Sequence, residues 1–206
     1  MPPATASSRA RRRELTRAEI IDTSTRLFVR HGYEQTTLGA VAEAVGISVP
    51  TLLTHFPAKE HLVLAREYDI LAAFERTIAD PARGSGTLTL WDDLVVTYVE
   101  GKLGPLDAFG RRLQWMAATP AVSRALLGLA QAYADVLEAG FRADLGRLTS
   151  HVEARLGARL AATGLAFGHF AMLTQWAAEG APGDLQQRSD QLVRAIRRQL
   201  PTAVLG

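Results

Sequence analysis

Residues 36–56 read TTLGAVAEAVGISVPTLLTHF, and the punctuation of this stretch decides the fold. Leu38, Val41, Ala42 and Val45 recur at three- and four-residue intervals, the spacing of one apolar helix face. Thr36 or Thr37 supplies the cap that starts this helix, and Gly46 ends it. Ile47 then serves as an apolar anchor, Ser48 as a second N-cap and Pro50 as a permitted first-turn proline, which predicts a second short helix over 48–55. Two short helices with a glycine turn between them form a helix-turn-helix. The residue types suit that geometry: Gly46 tolerates positive φ, Ala42 is small where the helices cross, and Val41, Ile47 and Leu52 anchor the pair.

The helical pattern extends in both directions. On the N-terminal side, Thr16-Arg17-Ala18-Glu19 has the form of a capping box, and Ile20, Ser24, Leu27 and Phe28 fall on one face of the helix it would start. That helix is expected to stop at His31-Gly32. Residues 1–14 read as a flexible basic arm, since the first 17 residues carry five Arg against one Glu. Such an arm suits a polyanion, and it equally suits a plain solvated tail. On the C-terminal side, Pro57 and Lys59 start a long fourth helix. Breaks at Asp80–Gly86, Gly104-Pro105, Thr119-Pro120 and Gly180–Gly183 then separate helices over 88–103, 106–117, 120–144, 150–179 and 184–200. The expected fold class is all-α, with an arm over 1–14, a helix-turn-helix domain over 15–61 and a helical domain over 62–206.

Composition narrows the function. The chain has 206 residues, 48% of them hydrophobic and 21% charged, enough to bury a real core. It holds no cysteine, which excludes disulfides, thiolate metal sites and thiol nucleophiles. No uncharged apolar run of about 18 residues and no apolar leader core stand out, so no membrane partner and a cytoplasmic location are expected. The five histidines (31, 55, 61, 151 and 169) lack zinc-enzyme spacing, Gly84-Ser85-Gly86 lacks the further glycine of a dinucleotide loop, and no phosphate loop precedes Lys59 or Lys102. No catalytic residue, metal site or cofactor is therefore expected, which argues against an enzyme.

Residues 14–64 closely resemble the tetracycline-repressor (TetR) family of bacterial transcriptional regulators. The resemblance rests on residues 20–28, IIDTSTRLF, the Gly32-Tyr33 link, Thr36-Thr37-Leu38, residues 42–48, AEAVGIS, and residues 55–62, HFPAKEHL. It implies an all-helical homodimer in which three helices bind a double-stranded DNA operator and a C-terminal domain binds a small-molecule effector and dimerises. Thr37 aligns with a helix cap that also bonds a phosphate, and Lys59 with a lysine that contacts phosphate. His55 can donate to phosphate as well, or serve as a structural histidine beside Phe56. Base reading would fall to Ser48, Val49, Pro50, Thr51 and Thr54, whose methyls suit thymine and whose hydroxyls suit several bases. Leu53 departs from the family, which often has a tyrosine there that reaches the DNA backbone. With no Arg, Asn or Gln in this helix, bidentate purine contacts are unavailable, and thymine methyls, DNA shape and Arg9 to Arg13 would carry more of the selectivity. A repressor is the family's default, and a helical ligand-binding or adaptor protein without sequence-specific DNA binding is the alternative.

The remainder is less specific. Trp91, Tyr98, Phe109, Trp115, Met116, Tyr133, Phe141, Phe167, Phe170, Met172 and Trp176 read mainly as core. The effector site is expected among Trp91, Phe109, Arg112, Trp115, Met116, Tyr133, His169 and Phe170, an apolar lining with a few polar groups. Each polar member also reads as surface arginine or satisfied core histidine. The last two helices, about 150–179 and 184–200, are the expected dimer interface, with Gly164 and Gly168 permitting close approach and Leu185, Leu192, Val193, Ile196 and Leu200 forming an apolar stripe. Packing within one chain explains that stripe equally well.

Overall fold

A computed structural model describes residues 4–101, 105–145 and 152–198, with side chains placed over 13–96, 105–145 and 155–198. Its ten described helices are α1 (Ala4–His31), α2 (Leu38–Val45), α3 (Val49–His55), α4 (Lys59–Val63), α5 (Ala65–Ala79), α6 (Thr87–Gly101), α7 (Leu106–Ala118), α8 (Pro120–Leu145), α9 (Val152–Ala178) and α10 (Leu185–Arg197). No strand occurs among the described residues, so the class is all-α as expected. The chain divides into two compact units, Met1–Tyr68 and Asp69–Gly206, and the division falls inside α5.

In the first unit, Ile20 of α1, Val41 and Ala42 of α2, Leu52 of α3, Phe56, Leu62 of α4 and Ala65 form one buried cluster, supported by Leu27, Phe28, Leu38, Val45 and Ile47. Two expectations need correction. Helix α1 begins at Ala4, so the supposed flexible arm is helical from that residue on, and Thr16–Glu19 lies inside a helix instead of starting one. The Arg, Ala and Glu residues of 9–19 are good helix formers, and this continuity outweighs the local cap. The long fourth helix is interrupted: α4 ends at Val63, its cap Leu64 leaves the helical region at φ −96° and ψ 15°, and α5 starts at Ala65. Leu64 is fully buried, so core packing fixes the position of the break.

In the second unit, α8 and α9 form the principal contact, and α6, α7 and α10 pack around them. Phe74, Trp91, Leu137, Phe141, Leu165 and Val193 are among the buried residues of its core. Helix α9 runs unbroken through Gly164 and Gly168 because both lie against α10 of the same chain. A Cβ at Gly168 would stand 3.1 Å from Leu192, and one at Gly164 3.5 Å from Ile196. The close approach read as a dimer feature therefore occurs within the chain. Within α9, Arg155–Ala178 is long and apolar enough to cross a membrane by composition alone. Its Ala158, Ala161, Ala162, Leu165, Ala166 and Trp176 are instead spent on the core. The turn from α9 to α10 has Gly180 at φ 91° and Ala181 at φ 56°. Trp176 Nε1 donates to Pro182 O at 2.7 Å, and Ala181 packs into the space Gly110 leaves on α7, where a Cβ would lie 2.4 Å from Ala181 Cβ. The Tyr98 side chain, His151, Leu200 and the side chains of Arg9, Arg11 and Arg12 lie outside the described residues.

Candidate nucleic-acid interface

Thr37 is the cap of α2: its hydroxyl accepts from Ala40 N at 3.0 Å, while buried Thr36 donates to Gly32 O at 2.8 Å. Such a cap is worth about 1 kcal/mol to its helix. Gly46 adopts the left-handed conformation, φ 77°, and its N–H is bonded to the end of α2, which turns the chain without steric cost. Ile47 N donates to Ala42 O at 2.9 Å and closes the turn. The axes of α2 and α3 consequently meet at 98°. That angle suits the helix-turn-helix, in which one helix braces while the other presents an open face.

Helix α3 buries Leu52 and leaves Ser48, Val49, Pro50, Thr51, Leu53 and Thr54 exposed, with His55 half-buried. Its hydroxyls are engaged locally. Ser48 Oγ accepts from Thr51 N at 3.2 Å and lies 2.8 Å from Thr51 Oγ1, and Thr54 Oγ1 donates to Thr51 O at 2.7 Å.

Cationic side chains border this face. Lys59, at the first position of α4, holds Nζ 4.0 Å above the Tyr33 ring centroid and donates to Glu34 O at 3.4 Å. The cation–π contact and the carbonyl fix the direction of the ammonium group in advance of any ligand. Burial, followed by Glu60 and Glu34, pushes the Tyr33 hydroxyl up to about 12, so it stays protonated beside the lysine. At the C-terminal end of α3, the Arg17 guanidinium lies 4.9 Å over the ring of Phe56, the residue that caps the helix. Burial pushes His55 below the ordinary imidazole value, and Arg13 and Arg17 push it further, so the ring is neutral at pH 7. Arg13 was among the arginines expected to aid selectivity, whereas Arg17, which lies beside the same end of α3, was not among the expected contacts. Their signal is the four-residue spacing, which puts them on one face once α1 is known to be helical there.

Every expected DNA-contacting residue thus lies in the first unit: Thr37 at the start of α2, Ser48 to His55 along α3 and Lys59 at the start of α4. The expected effector residues do not converge in the same way. Trp91, Tyr133 and His169 form a ring cluster with Phe74, with Trp91 at 5.6 Å from Tyr133, 5.3 Å from His169 and 5.8 Å from Phe74. Trp91 Nε1 donates to His169 Nδ1 at 3.3 Å, and His169 Nε2 lies 2.9 Å from Ser189 Oγ. An indole N–H only donates and the Leu165 carbonyl only accepts, so Nδ1 of a neutral ring serves one of the two, and the tautomer sets whether Nε2 donates to Ser189 Oγ or accepts from it. Burial pushes His169 down to about 4 even though Nδ1 also stands 3.0 Å from Leu165 O, and the ring is neutral. Phe109 and Met116 are buried on α7, where Phe109 packs 5.9 Å from Trp176. Arg112 and Phe170 are half-buried, and Trp115 is exposed. An open depression of about 500 Å³ lies elsewhere, lined by Met172, Asp184, Gln187, Arg188, Gln191 and Leu192, none of them an expected effector residue.

Residues 20–65 match the family model for bacterial regulatory proteins of the tetR family. A curated relative, the HTH-type transcriptional repressor ComR of Escherichia coli K12, is 42% identical over 69 residues, which are 32% of this chain and 33% of that protein. The match therefore spans a third of the relative's length. The crystal structure of Thermus thermophilus FadR, a TetR family repressor in complex with lauroyl-CoA, aligns with TM-score 0.58 at 21% identity, covering 88% of this chain and 93% of that one. SmeT of Stenotrophomonas maltophilia in complex with triclosan aligns with TM-score 0.56 at 18% identity, covering 92% and 94%. These two likenesses establish the fold of both units.

Proposed function

We propose, from the tetR-family DNA-binding domain that residues 20–65 carry, that this chain is a transcriptional regulator which binds a palindromic operator as a homodimer and leaves it when a small molecule binds. The observation that carries the reading is the exposed arc of α3, set at 98° to its bracing helix and bordered by Lys59, Arg13 and Arg17. In this reading Thr37, His55 and Lys59 hold phosphates, and Ser48, Val49, Pro50, Thr51 and Thr54 face base edges in the major groove. Repression follows from blocking the site, as ComR and FadR are named repressors.

Dimerisation through α9 and α10 is supported by Leu156 and Leu160, exposed by 59% and 65% at four-residue spacing on α9. A two-fold interface of this kind holds two copies of α3 at a fixed separation, about 34 Å for successive major grooves. Effector binding is assigned to the second unit, around Trp91, Tyr133 and His169, which combine aromatic faces with a polar centre. The FadR and SmeT structures hold lauroyl-CoA and triclosan, ligands that share an apolar moiety, an acyl chain in one and aromatic rings in the other, which such a lining suits. An effector that releases DNA 100-fold must prefer the released conformer by about 2.7 kcal/mol, an ordinary coupling energy.

The test is fluorescence anisotropy of the purified chain on duplexes tiled across the intergenic regions beside its own gene, against a random duplex, at two salt concentrations. Saturable binding to one tile, falling steeply with salt, is the expected result. Weak binding alike on every duplex favours the adaptor reading.

A further inference from the structure

Helix α3 presents an unusual surface for a reader of DNA. It carries no Arg, Lys, Asn or Gln, so no side chain on it can make the paired hydrogen bonds that recognise guanine or adenine. Its hydroxyls are engaged on the helix itself, Ser48 with Thr51 and Thr54 with the Thr51 carbonyl. Two of the eight exposed large apolar side chains among the described residues stand on these seven residues, Val49 exposed by 37% and Leu53 by 40%. Their four-residue separation puts both on one edge of the exposed arc. Cationic groups gather about the C-terminal end of the helix, with Arg17 over the Phe56 ring, Arg13 and Arg17 acting on His55, and Lys59 three residues beyond Phe56, and they favour a polyanion as the occupant of this aliphatic edge.

We propose that Val49 and Leu53 together read the C5-methyl groups of thymines, with Leu53 a specificity-determining residue and the preferred half-site defined by 5-methylpyrimidines. The inference rests on the DNA-binding reading above and adds the chemistry that α3 selects. In the major groove the thymine methyl is the apolar feature of the base edges, and burying it against an isopropyl or isobutyl group releases water from both. Leu53 thereby replaces a lost polar contact with an apolar one.

The experiment selects the tightest duplex from a random library with the full chain, then remakes that duplex with deoxyuridine in place of one thymidine at a time. Uracil pairs as thymine does and lacks only the methyl. Loss of a methyl that the protein reads is expected to weaken binding about fourfold, equivalent to about 0.8 kcal/mol. Leu53→Ala, at an exposed position that leaves the core intact, is expected to bring the thymidine-to-deoxyuridine ratio to about one at a single position of each half-site and to leave the other ratios unchanged. A change in DNA shape would persist in the variant, so the pair of measurements separates the two causes. Equal binding of thymidine and deoxyuridine duplexes by the parent, or undiminished ratios in Leu53→Ala, overturns the inference while leaving the DNA-binding reading intact. A parent that selects no duplex overturns both.

Discussion

Replacing Asp144 with Ala tests how the second unit holds the start of α6. Asp144 on α8 forms an ion pair with Arg83 and accepts from Thr87 N at 2.8 Å, the first amide of α6. Arg83 also donates to Thr87 Oγ1 at 3.1 Å and to Gly140 O at 3.2 Å, so one carboxylate and one guanidinium tie the α5–α6 loop to α8. The two side chains are only 21% and 10% exposed. Asp144→Ala strands a guanidinium out of water, a loss of about 3–5 kcal/mol. For a protein of this size each kcal/mol moves the melting temperature by about 2–4 °C, so a fall of about 10 °C is expected. Urea denaturation followed by far-ultraviolet circular dichroism gives the free energy directly. The combination Arg83→Met with Asp144→Leu removes both charges, and it is expected to recover all but about 2 kcal/mol, the remainder reflecting the uncapped Thr87 amide. A single variant within 1 kcal/mol of the parent refutes the reasoning. So does a double variant no better than the single one, because the loss would then have a cause other than the isolated charge.

His169 is neutral in the fold, with its pKa down to about 4, and ionises near 6.5 when unfolded, so the unfolded chain takes up the extra proton. Stability is therefore complete above about pH 6.5 and falls by about 3 kcal/mol as the pH drops toward 4. Thermal melts over that range should show a steeper fall for the parent than for His169→Gln, and parallel curves would remove His169 as the cause. Lys59→Gln should weaken binding to every duplex alike and lower the slope of log affinity against log salt by about 0.9, whereas Arg13→Gln with Arg17→Gln should lower it by about 1.8. Unchanged slopes would take these groups off the phosphates. Thr51→Ala should instead change the ranking of duplexes, measured by competition, and an unaltered ranking would remove it from the base edges. A Cβ at Gly140 would stand 2.6 Å from Thr87 Oγ1, while one at Gly128 meets nothing within 4 Å. Gly140→Ala is thus expected to cost about 1–3 kcal/mol and Gly128→Ala to stabilise by up to about 1 kcal/mol, both read from urea melts.

What the sequence disclosed follows the range over which each feature is determined. Thr37 and Ser48 accept from amides three residues on, and the Gly46 N–H bonds carbonyls three and four residues back, so the caps were legible from the sequence, with Thr36 and Thr37 both open for the first, as was the all-α class from the three- and four-residue spacing. The break at Leu64 falls at a fully buried residue and carries no Gly or Pro to mark it. The start of α1 was obscured because a capping box and a helix interior can hold the same residues at Thr16–Glu19. Gly164 and Gly168 announced a close helix approach without naming the partner, which is α10 of the same chain. The aromatic residues of the second unit all read as apolar, and composition cannot sort Trp91 with Tyr133 from Phe109 with Trp176. That sorting depends on how α6, α7, α8 and α9 pack.

The contact between Gly110 and Ala181 couples two positions 71 residues apart into a single steric choice. There is room for one methyl between α7 and the α9–α10 turn, and either residue can own it. With glycine at 181, an alanine at 110 would meet the former Ala181 Cα at 3.7 Å, an ordinary contact. The exchange Gly110→Ala with Ala181→Gly would also place glycine where φ is 56°, relieving backbone strain. Homologous chains that keep this turn should therefore covary at the two sites, with alanine at both excluded. In such a family the pair would evolve as one letter written across two positions.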